Sequence, residues 1–265
     1  MMASLIDRKQ LKSDMKALLA DAQVSPKAMT ALYLGLTLVL NLVDSFAGGS
    51  GLLSTFLSIL TSLLGLVLGS GFALYCMAVR RGERAEFLTL FDGFSFVGKL
   101  IGLNIIMYLF IALWSMLFVI PGLIAAYRYR FALLDLCENP DLGVMEALAL
   151  SRRQSFGFKS HLFLLDMSYL GWKLLSILPS ILYSLSAAYS LLQQTWTQFS
   201  GTSLLAAAPV DVSLSPLVLV LFFGVWALVV SLFYYPNFVC TELGYFELAK
   251  RSAARAAGPD DLGSL

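Results

Sequence analysis

The sequence predicts an all-α, polytopic membrane protein, a bundle of about six transmembrane helices. Of its 265 residues, 58% are hydrophobic and only 13% are charged, about half the charged fraction of a typical soluble domain. The mean hydropathy is +0.80. Apolar runs of about 20 residues recur, and each is long enough to span a bilayer core of about 30 Å. Because these runs are continuous, they exclude an outer-membrane barrel, whose strands alternate in short segments.

The segments are defined by the apolar runs and by the residues that interrupt them. Ser25-Pro26 favours a helix start, because serine caps a helix and proline fits its first position. Glycines 48, 49 and 51 predict a tight turn, and Pro236 predicts a break. The segments lie at about 28–46, 52–79, 100–120, 122–137, 160–183 and 216–235, with a helical extension over 237–252 and a disordered tail over 254–265.

Three further stretches have a predicted structure of their own. Residues 1–25 are expected to form an amphipathic helix on the cytoplasmic face, because apolar and basic residues form separate stripes there. A solvated helix end that only anchors the chain is the alternative. Residues 82–99 mix charges with phenylalanines and predict a short interfacial helix. The Ser-, Thr- and Gln-rich residues 186–215 predict the longest loop.

The middle of the chain predicts a helical hairpin that turns at Pro121-Gly122. Lysines and arginines cluster on both sides of it, whereas residues 42–79 and 174–249 contain none. The positive-inside rule therefore puts both flanking links and both termini in the cytoplasm. A chain between two cytoplasmic links crosses an even number of times, so a hairpin is required. Its returning segment, 122–137, is short for a full crossing, and a re-entrant hairpin is the main alternative.

Charged residues inside the apolar segments are the candidate functional residues. With a rise of about 1.5 Å per residue, Asp166 lies roughly 10 Å deep and Lys173 roughly 20 Å deep. On the same scale Arg130 lies roughly 13 Å deep and Arg128 roughly 16 Å deep. Asp166 and Lys173 are two turns apart, which predicts that they do not pair directly. We expect Asp166 to pair with Arg130 or Arg128, and Lys173 to pair with Asp44.

Two interpretations of these charges stay open. One is a polar pathway or binding site inside the bundle, and the other is a set of ion pairs that fixes the helix register. A second pattern, Gly65-x-x-x-Gly69, indicates the close approach of another helix. Such a pattern more often packs within its own bundle than between two copies.

The sequence predicts no catalytic centre, no cofactor and no metal site. Its one histidine, His161, leaves no histidine pair for a metal ion. Cys76, Cys137 and Cys240 are far apart and are expected to be buried, reduced thiols. Asp166 is the one clearly buried carboxylate, so an intramembrane enzyme is the least favoured class. The net charge of +1 gives no indication of nucleic-acid binding.

Several short motifs resemble those of a bacterial membrane-protein family, the domain of unknown function 975 family, which is found mainly in Gram-positive bacteria. The resemblance covers most of the chain to residue 253 and is weakest at 186–215. It implies a six-segment integral membrane protein with no established activity, and it assigns no active-site residues. The matching motifs are RKQLK at 8–12, LFDGF at 90–94, LWS at 113–115, IPGLI at 120–124, NPDLG at 139–143, EA at 146–147, LSR at 150–152, DMS at 166–168 and GW at 171–172.

The expected function is therefore that of a non-enzymatic integral membrane protein. An accessory subunit, or a carrier of a lipid, a peptide or a small amphipathic solute, fits the charged interior best. A scaffold for a partner complex is the alternative. The lipid bilayer is the expected partner, and a membrane-protein partner or a homo-oligomer stays open. The expected location is the plasma membrane of a bacterial cell, with both termini in the cytoplasm.

Overall fold

The computed structural model describes residue 13 and residues 25–46, 51–200 and 216–256, and this part of the chain is all-α, without a strand. The predicted N-terminal amphipathic helix lies outside the described residues. The helices are α1 Pro26–Phe46, α2 Leu52–Arg81, a 3₁₀ helix Phe87–Phe96, α3 Val97–Leu117, α4 Val119–Arg128, α5 Ala132–Glu138, α6 Val144–Gln154, α7 Lys159–Ser200 and α8 Pro216–Ala256.

Five helices in the described part of the chain are long and apolar enough to cross a membrane: Pro26–Ser45, Leu52–Arg81, Phe87–Leu117, Lys159–Gln193 and Val218–Arg255. The chain is therefore a polytopic helical membrane protein. The fourth predicted segment, 122–137, is not among them. It is divided into α4, of 10 residues, and α5, of 7 residues. At about 1.5 Å per residue, α4 returns only about half the thickness of a bilayer core.

The hairpin between α3 and α4 turns at Phe118, not at Pro121-Gly122. Phe118 is extended, with φ −161° and ψ 152°, and α4 begins at the next residue. Pro121 is the third residue of α4, where a helix has no internal acceptor for an N–H group. A Cβ atom on Gly122 would overlap Ser115 of α3. The pair thus fits the start of the returning helix, and glycine permits its close packing on α3.

Helix α7 is longer than predicted, because residues 186–200 continue it. The predicted loop over 186–215 is wrong in this part, and residues 201–215 lie outside the described residues. The stretch lacks glycine and proline. Its hydroxyl groups form hydrogen bonds with carbonyl groups of the same helix. Ser186 donates to the Tyr183 carbonyl at 2.7 Å and Thr195 to the Leu192 carbonyl at 2.9 Å. These bonds allow a polar composition to remain helical.

Helices α7 and α8 each contain an internal proline without ending there. Pro179 has no N–H group to give to the carbonyl of Leu175. The indole N–H of Trp226 on α8 donates to that carbonyl instead, at 2.9 Å. Helix α8 runs through Pro236 to Ala256. The predicted break at Pro236 and the predicted disorder of residues 254–256 are therefore wrong.

The described chain does not bring another of its helices into close contact at both Gly65 and Gly69, and an approach by a second copy of the chain stays a prediction. A Cβ atom on Gly65 would meet nothing within 4 Å, and one on Gly69 would lie 3.8 Å from the Tyr33 hydroxyl oxygen. The tight glycine contacts lie elsewhere. A Cβ atom on Gly71 would overlap the backbone of Leu90 in the 3₁₀ helix, and one on Gly224 would overlap Leu38.

Burial divides the bundle into two ends. The first, here called the packed end, contains the buried side chains of 67–77, 90–103, 125–137, 147–169 and 230–249. The second, the open end, consists of residues 39–60, 105–124, 170–193 and 218–229, most of whose large apolar side chains are exposed. Helices α1, α2, α7 and α8 extend through both ends, and α8 packs against the other three.

Candidate functional site

The turn between α4 and α5 positions the central arginine of the candidate site. Residues 129–131 leave the helix, so the carbonyl of Arg128 loses its helical donor. The hydroxyls of Ser151 and Ser155, both near the end of α6, donate to this carbonyl at 3.0 and 3.2 Å. The backbone N–H of Phe131 donates to Ser151 Oγ at 3.2 Å. The two serines therefore satisfy the backbone of the turn that carries Arg130.

Arg130 is the centre of a charge network. Its guanidinium group binds Asp166 of α7 through Nη1 and Glu242 of α8 through Nε. Lys173 Nζ binds the other oxygen of Asp166 at 2.6 Å, and the Tyr127 hydroxyl donates to Asp166 at 2.9 Å. Two cations and two anions thus make a network of zero net charge. We call Tyr127, Arg130, Asp166, Lys173 and Glu242 the Arg130 network.

The aromatic ring of Phe238 completes the surroundings of the two cations. Lys173 Nζ lies 4.2 Å from the centre of this ring, and the guanidinium carbon of Arg130 lies 5.7 Å from it. A ring face attracts a cation at these distances, and the attraction strengthens where water is excluded. Arg130, Asp166 and Glu242 are largely shielded from solvent, whereas the side chain of Lys173 is 36% exposed, so the first three charges depend on their partners within the protein.

The structure brings some of the predicted residues together and separates others. The predicted pairing of Asp166 with Arg130 is present. The predicted pairing of Lys173 with Asp44 is wrong: Lys173 reaches back to Asp166, while Asp44 accepts a hydrogen bond from Ser58 at the open end. The guanidinium carbon of Arg128 lies 5.8 Å from the centre of the Tyr129 ring. Arg128 has no ion pair among the described residues.

Sequence reasoning missed Glu242, Tyr127 and Phe238. Glu242 follows the proline that we interpreted as the end of the sixth segment, so it was assigned to the helical extension over 237–252. Its spacing of eight residues from Lys250 was the available signal, because it puts the carboxylate about 12 Å before the basic end of the helix. Tyr127 and Phe238 carry no charge and resemble the apolar residues around them.

A cavity of about 150 Å³ adjoins the Arg130 network between α2, α5 and α8. Arg130 and Glu242 provide its charged wall, while Gly69, Phe72 and Tyr235 are among its uncharged lining residues. The missing side chain of Gly69 contributes to the space. The cavity thus presents a guanidinium group, a carboxylate and aromatic surface to whatever occupies it.

A second group of ion pairs lies toward the ends of α2 and α8. Arg80 binds Glu247 at 2.6 Å and the carbonyl of Cys240 at 3.3 Å. Glu138 lies between Arg81, at 3.2 Å, and Lys250, at 2.8 Å. The last two pairs are substantially exposed, so each stabilises the fold by at most about 1 kcal/mol. Their effect is to connect α2, α5 and α8 beyond the cavity.

A buried carboxyl group on α5 lies outside the five membrane-crossing helices. Asp135 accepts one hydrogen bond, from Gln154 Nε2 at 2.8 Å. Within the described residues, Asp135 Oδ2 and Gln154 Oε1 have no hydrogen-bond partner. Burial raises the pKa of Asp135 to about 7, although the Gln154 hydrogen bond opposes this shift. The group is therefore a proton-binding site near neutral pH in the packed end.

Two other features of the described residues concern metal binding and the state of the cysteines. Within the described ranges, no group of three His, Cys, Asp or Glu side chains is placed to hold a metal ion. Cys76, Cys137 and Cys240 are buried and form no disulfide.

Residues 116–239 match the sequence profile of a family described as "Protein of unknown function (DUF975)", which confirms the resemblance to that family. The match begins at the end of α3 and ends within α8. It includes every member of the Arg130 network except Glu242. No curated protein and no solved structure matches the chain.

Proposed function

We propose that this membrane protein is non-enzymatic and binds the polar end of an amphipathic molecule, a lipid, peptide or small solute, in the cavity beside Arg130 and Glu242. The supporting observation is that Arg130 and Glu242 form a charged wall in a cavity of the packed end, with the exposed apolar surface of the open end beyond it along α2 and α8. A ligand there could place its polar group against Arg130 while its apolar part follows the exposed side chains of the open end. Carrier and accessory-subunit roles both require such binding.

The size and chemistry of the cavity restrict the class of ligand that it can bind. A volume of about 150 Å³ corresponds to roughly five water molecules and is smaller than the roughly 300–1,000 Å³ of whole-ligand pockets. The cavity therefore suits a head group. Arg130 uses three of its five N–H groups in bonds to Asp166 and Glu242, which leaves two donors. A phosphate or carboxylate is the group that such donors bind best.

A second candidate function is a scaffold for a partner complex in the membrane. It is favoured by the neutrality of the Arg130 network, whose charges are compensated internally and fix the positions of the turn between α4 and α5, of α7 and of α8. Under either proposal we place the protein in the plasma membrane of a bacterial cell. The concentration of lysine and arginine at the packed end supports a cytoplasmic location for that end.

Native mass spectrometry of the protein, gently extracted from its own membrane, tests the proposal. Cavity binding predicts a lipid or small molecule in fixed ratio to the wild-type chain. Gly69→Leu fills the cavity and should remove this ligand, whereas Gly65→Leu, one helical turn away in open space, should retain it. A co-purified protein subunit without a small ligand would favour the scaffold.

Variants that remove one charge distinguish an effect on ligand binding from an effect on folding. Glu242→Gln preserves side-chain shape and leaves Arg130 paired with Asp166, so the folded protein should accumulate with altered ligand occupancy. Glu247→Gln is the matched control, because it makes the same change on the same helix in the pair with Arg80. Equal ligand occupancy in wild type, Gly69→Leu and Glu242→Gln would contradict binding in this cavity.

A further inference from the structure

A rigid, basic elbow joins α6 to α7. We call residues 152–159 the basic elbow. Two hydrogen bonds fix its conformation. The Ser155 hydroxyl donates to the Arg128 carbonyl, and the Phe158 N–H donates to the Ser155 carbonyl at 3.1 Å. Phe158 is buried. Gly157 has φ +85°, a left-handed conformation that glycine adopts without steric cost. The elbow is therefore a defined turn.

The turn presents one large apolar side chain to the outside. Phe156 is 84% exposed, although its neighbours Ser155 and Phe158 are buried. Since Ser155 and Phe158 hold the backbone on both sides of it, Phe156 is directed away from the core. Met145, at the start of α6, is 59% exposed. The described residues therefore leave the side chain of Phe156 largely uncovered.

Three cations flank Phe156. Arg152 and Arg153 precede it and Lys159 follows it, and residues 147–165 contain no acidic residue. Within the described part of the chain, none of the three takes part in an ion pair. The elbow is consequently a local positive surface on a chain whose net charge is only +1.

The elbow lies at the height where a membrane crossing begins. Helix α7 is a candidate span from Lys159 onward. Its first exposed apolar side chains, Phe163 and Leu164, are about 6 to 8 Å beyond Lys159 along the helix. Residues at the beginning of a span lie at the level of the lipid head groups, where aromatic side chains and cations are both enriched.

We propose that the basic elbow binds anionic phospholipid: Phe156 inserts below the head groups, and Arg152, Arg153 and Lys159 bind lipid phosphates. Phenylalanine anchors by burying apolar area, while the cations select for negative charge. This contact is separate from the cavity of the proposed function and does not depend on it. A protein partner on this surface would be a different interaction, which the following experiments exclude or reveal.

Site-directed spin labelling in nanodiscs tests the depth of Phe156. The native cysteines are buried, so Phe156→Cys directs the label to the elbow. In discs containing phosphatidylglycerol, this label should be more accessible to oxygen than to a water-soluble nickel chelate, as a label at Leu164→Cys should be. Arg251→Cys, exposed at the end of α8, is the aqueous reference and should show the reverse. A label at position 156 that behaves like the one at position 251 would overturn the proposal.

A charge-matched pair of variants tests the lipid preference. In Arg152→Gln/Arg153→Gln/Lys159→Gln, the preference of bound spin-labelled phosphatidylglycerol over phosphatidylcholine should fall about fivefold for each cation, the equivalent of about 1 kcal/mol near an anionic surface. Arg84→Gln/Arg251→Gln/Arg255→Gln removes the same charge elsewhere and should retain the preference. Equal losses in the two variants would show that net charge, rather than the elbow, selects the lipid.

Discussion

The two ends of α7 differ in their surroundings, although their sequences are similarly apolar. Leu165, in the packed end, is 1% exposed, whereas Leu185, in the open end, is 62% exposed. Helix α2 shows the same division, because its nine buried residues all lie between Val67 and Met77, while Leu52 at its start is 92% exposed. Each long helix thus has protein around one end and a surface for lipid around the other.

This division indicates how the fold is stabilised. Close packing of side chains stabilises the packed end, and there the removal of even one methylene group changes the stability of the protein. At the open end lipid can replace protein contacts. Lipid offers no hydrogen bonds, so the backbone N–H and C=O groups must be hydrogen-bonded within each helix or by a neighbouring helix. The Arg130 network belongs to the packed end apart from Lys173, and its charges depend on protein partners. Three pairs of variants and one single variant test the comparison.

The largest effect is expected from the acid at the centre of the network. Asp166→Asn leaves Lys173 with no ion-pair partner among the described residues and Arg130 with Glu242 alone, and breaking a buried ion pair costs roughly 3–5 kcal/mol. We expect a strong loss of folded protein, measured by size-exclusion chromatography after extraction. Asp44→Asn at the open end removes an acid that faces a hydroxyl, and it should accumulate normally. Normal accumulation of both variants would show that the network is dispensable for folding.

The next effect concerns equal truncations on one helix. Leu165→Ala should lower the free energy of unfolding by about 3 kcal/mol, because it removes buried area and leaves a cavity. Leu185→Ala should change it by less than about 0.5 kcal/mol, since the site is exposed. Thermal unfolding in nanodiscs measures both. Comparable losses at the two positions would mean that the open end is packed by an additional partner.

The sequence alone predicted the fold class and the paired charges of Arg130 and Asp166 because both follow from composition and helix rise. It did not predict the division into two ends, since lipid-facing and core-facing leucines have the same hydropathy. The loop over 186–200 was predicted from serine and threonine content. That prediction failed because hydroxyl groups can bond to carbonyls of their own helix.

The prediction that Lys173 does not pair with Asp166 was wrong for a geometric reason. Seven residues correspond to about 10 Å of rise, which suggested that Lys173 and Asp166 do not meet. Side chains on a helix, however, lean toward its N-terminus. Lysine therefore extends toward an acid seven residues earlier, and Lys173 reaches Asp166 at 2.6 Å. An acid that precedes a lysine by two turns is thus a candidate ion-pair partner.

A smaller effect, dependent on pH, is expected at Asp135 in the packed end. Its pKa of about 7 in the folded protein exceeds the ordinary value near 4. The folded state therefore retains a proton that the unfolded chain releases, and stability falls as pH rises from about 4 to 7. Asp135→Asn removes this dependence and offers a donor to Gln154 Oε1. We expect the variant to be more stable by the order of 2 kcal/mol at pH 8 and nearly unchanged at pH 4.5. Scanning fluorimetry at both pH values measures this, and parallel pH profiles of wild type and variant would contradict it.

The smallest effect tests whether the open end depends on backbone satisfaction rather than packing. Trp226→Phe removes the indole donor to the Leu175 carbonyl and should cost about 1 kcal/mol, measured by thermal unfolding. Trp172→Phe, a change on α7 at a residue that stacks on Tyr234, should cost less. Pro179→Ala supplies a backbone N–H for the same carbonyl, so in that background Trp226→Phe should have little effect. If the cost of Trp226→Phe were the same with proline and with alanine at position 179, the loss would come from ring contacts, and packing would matter at the open end as well.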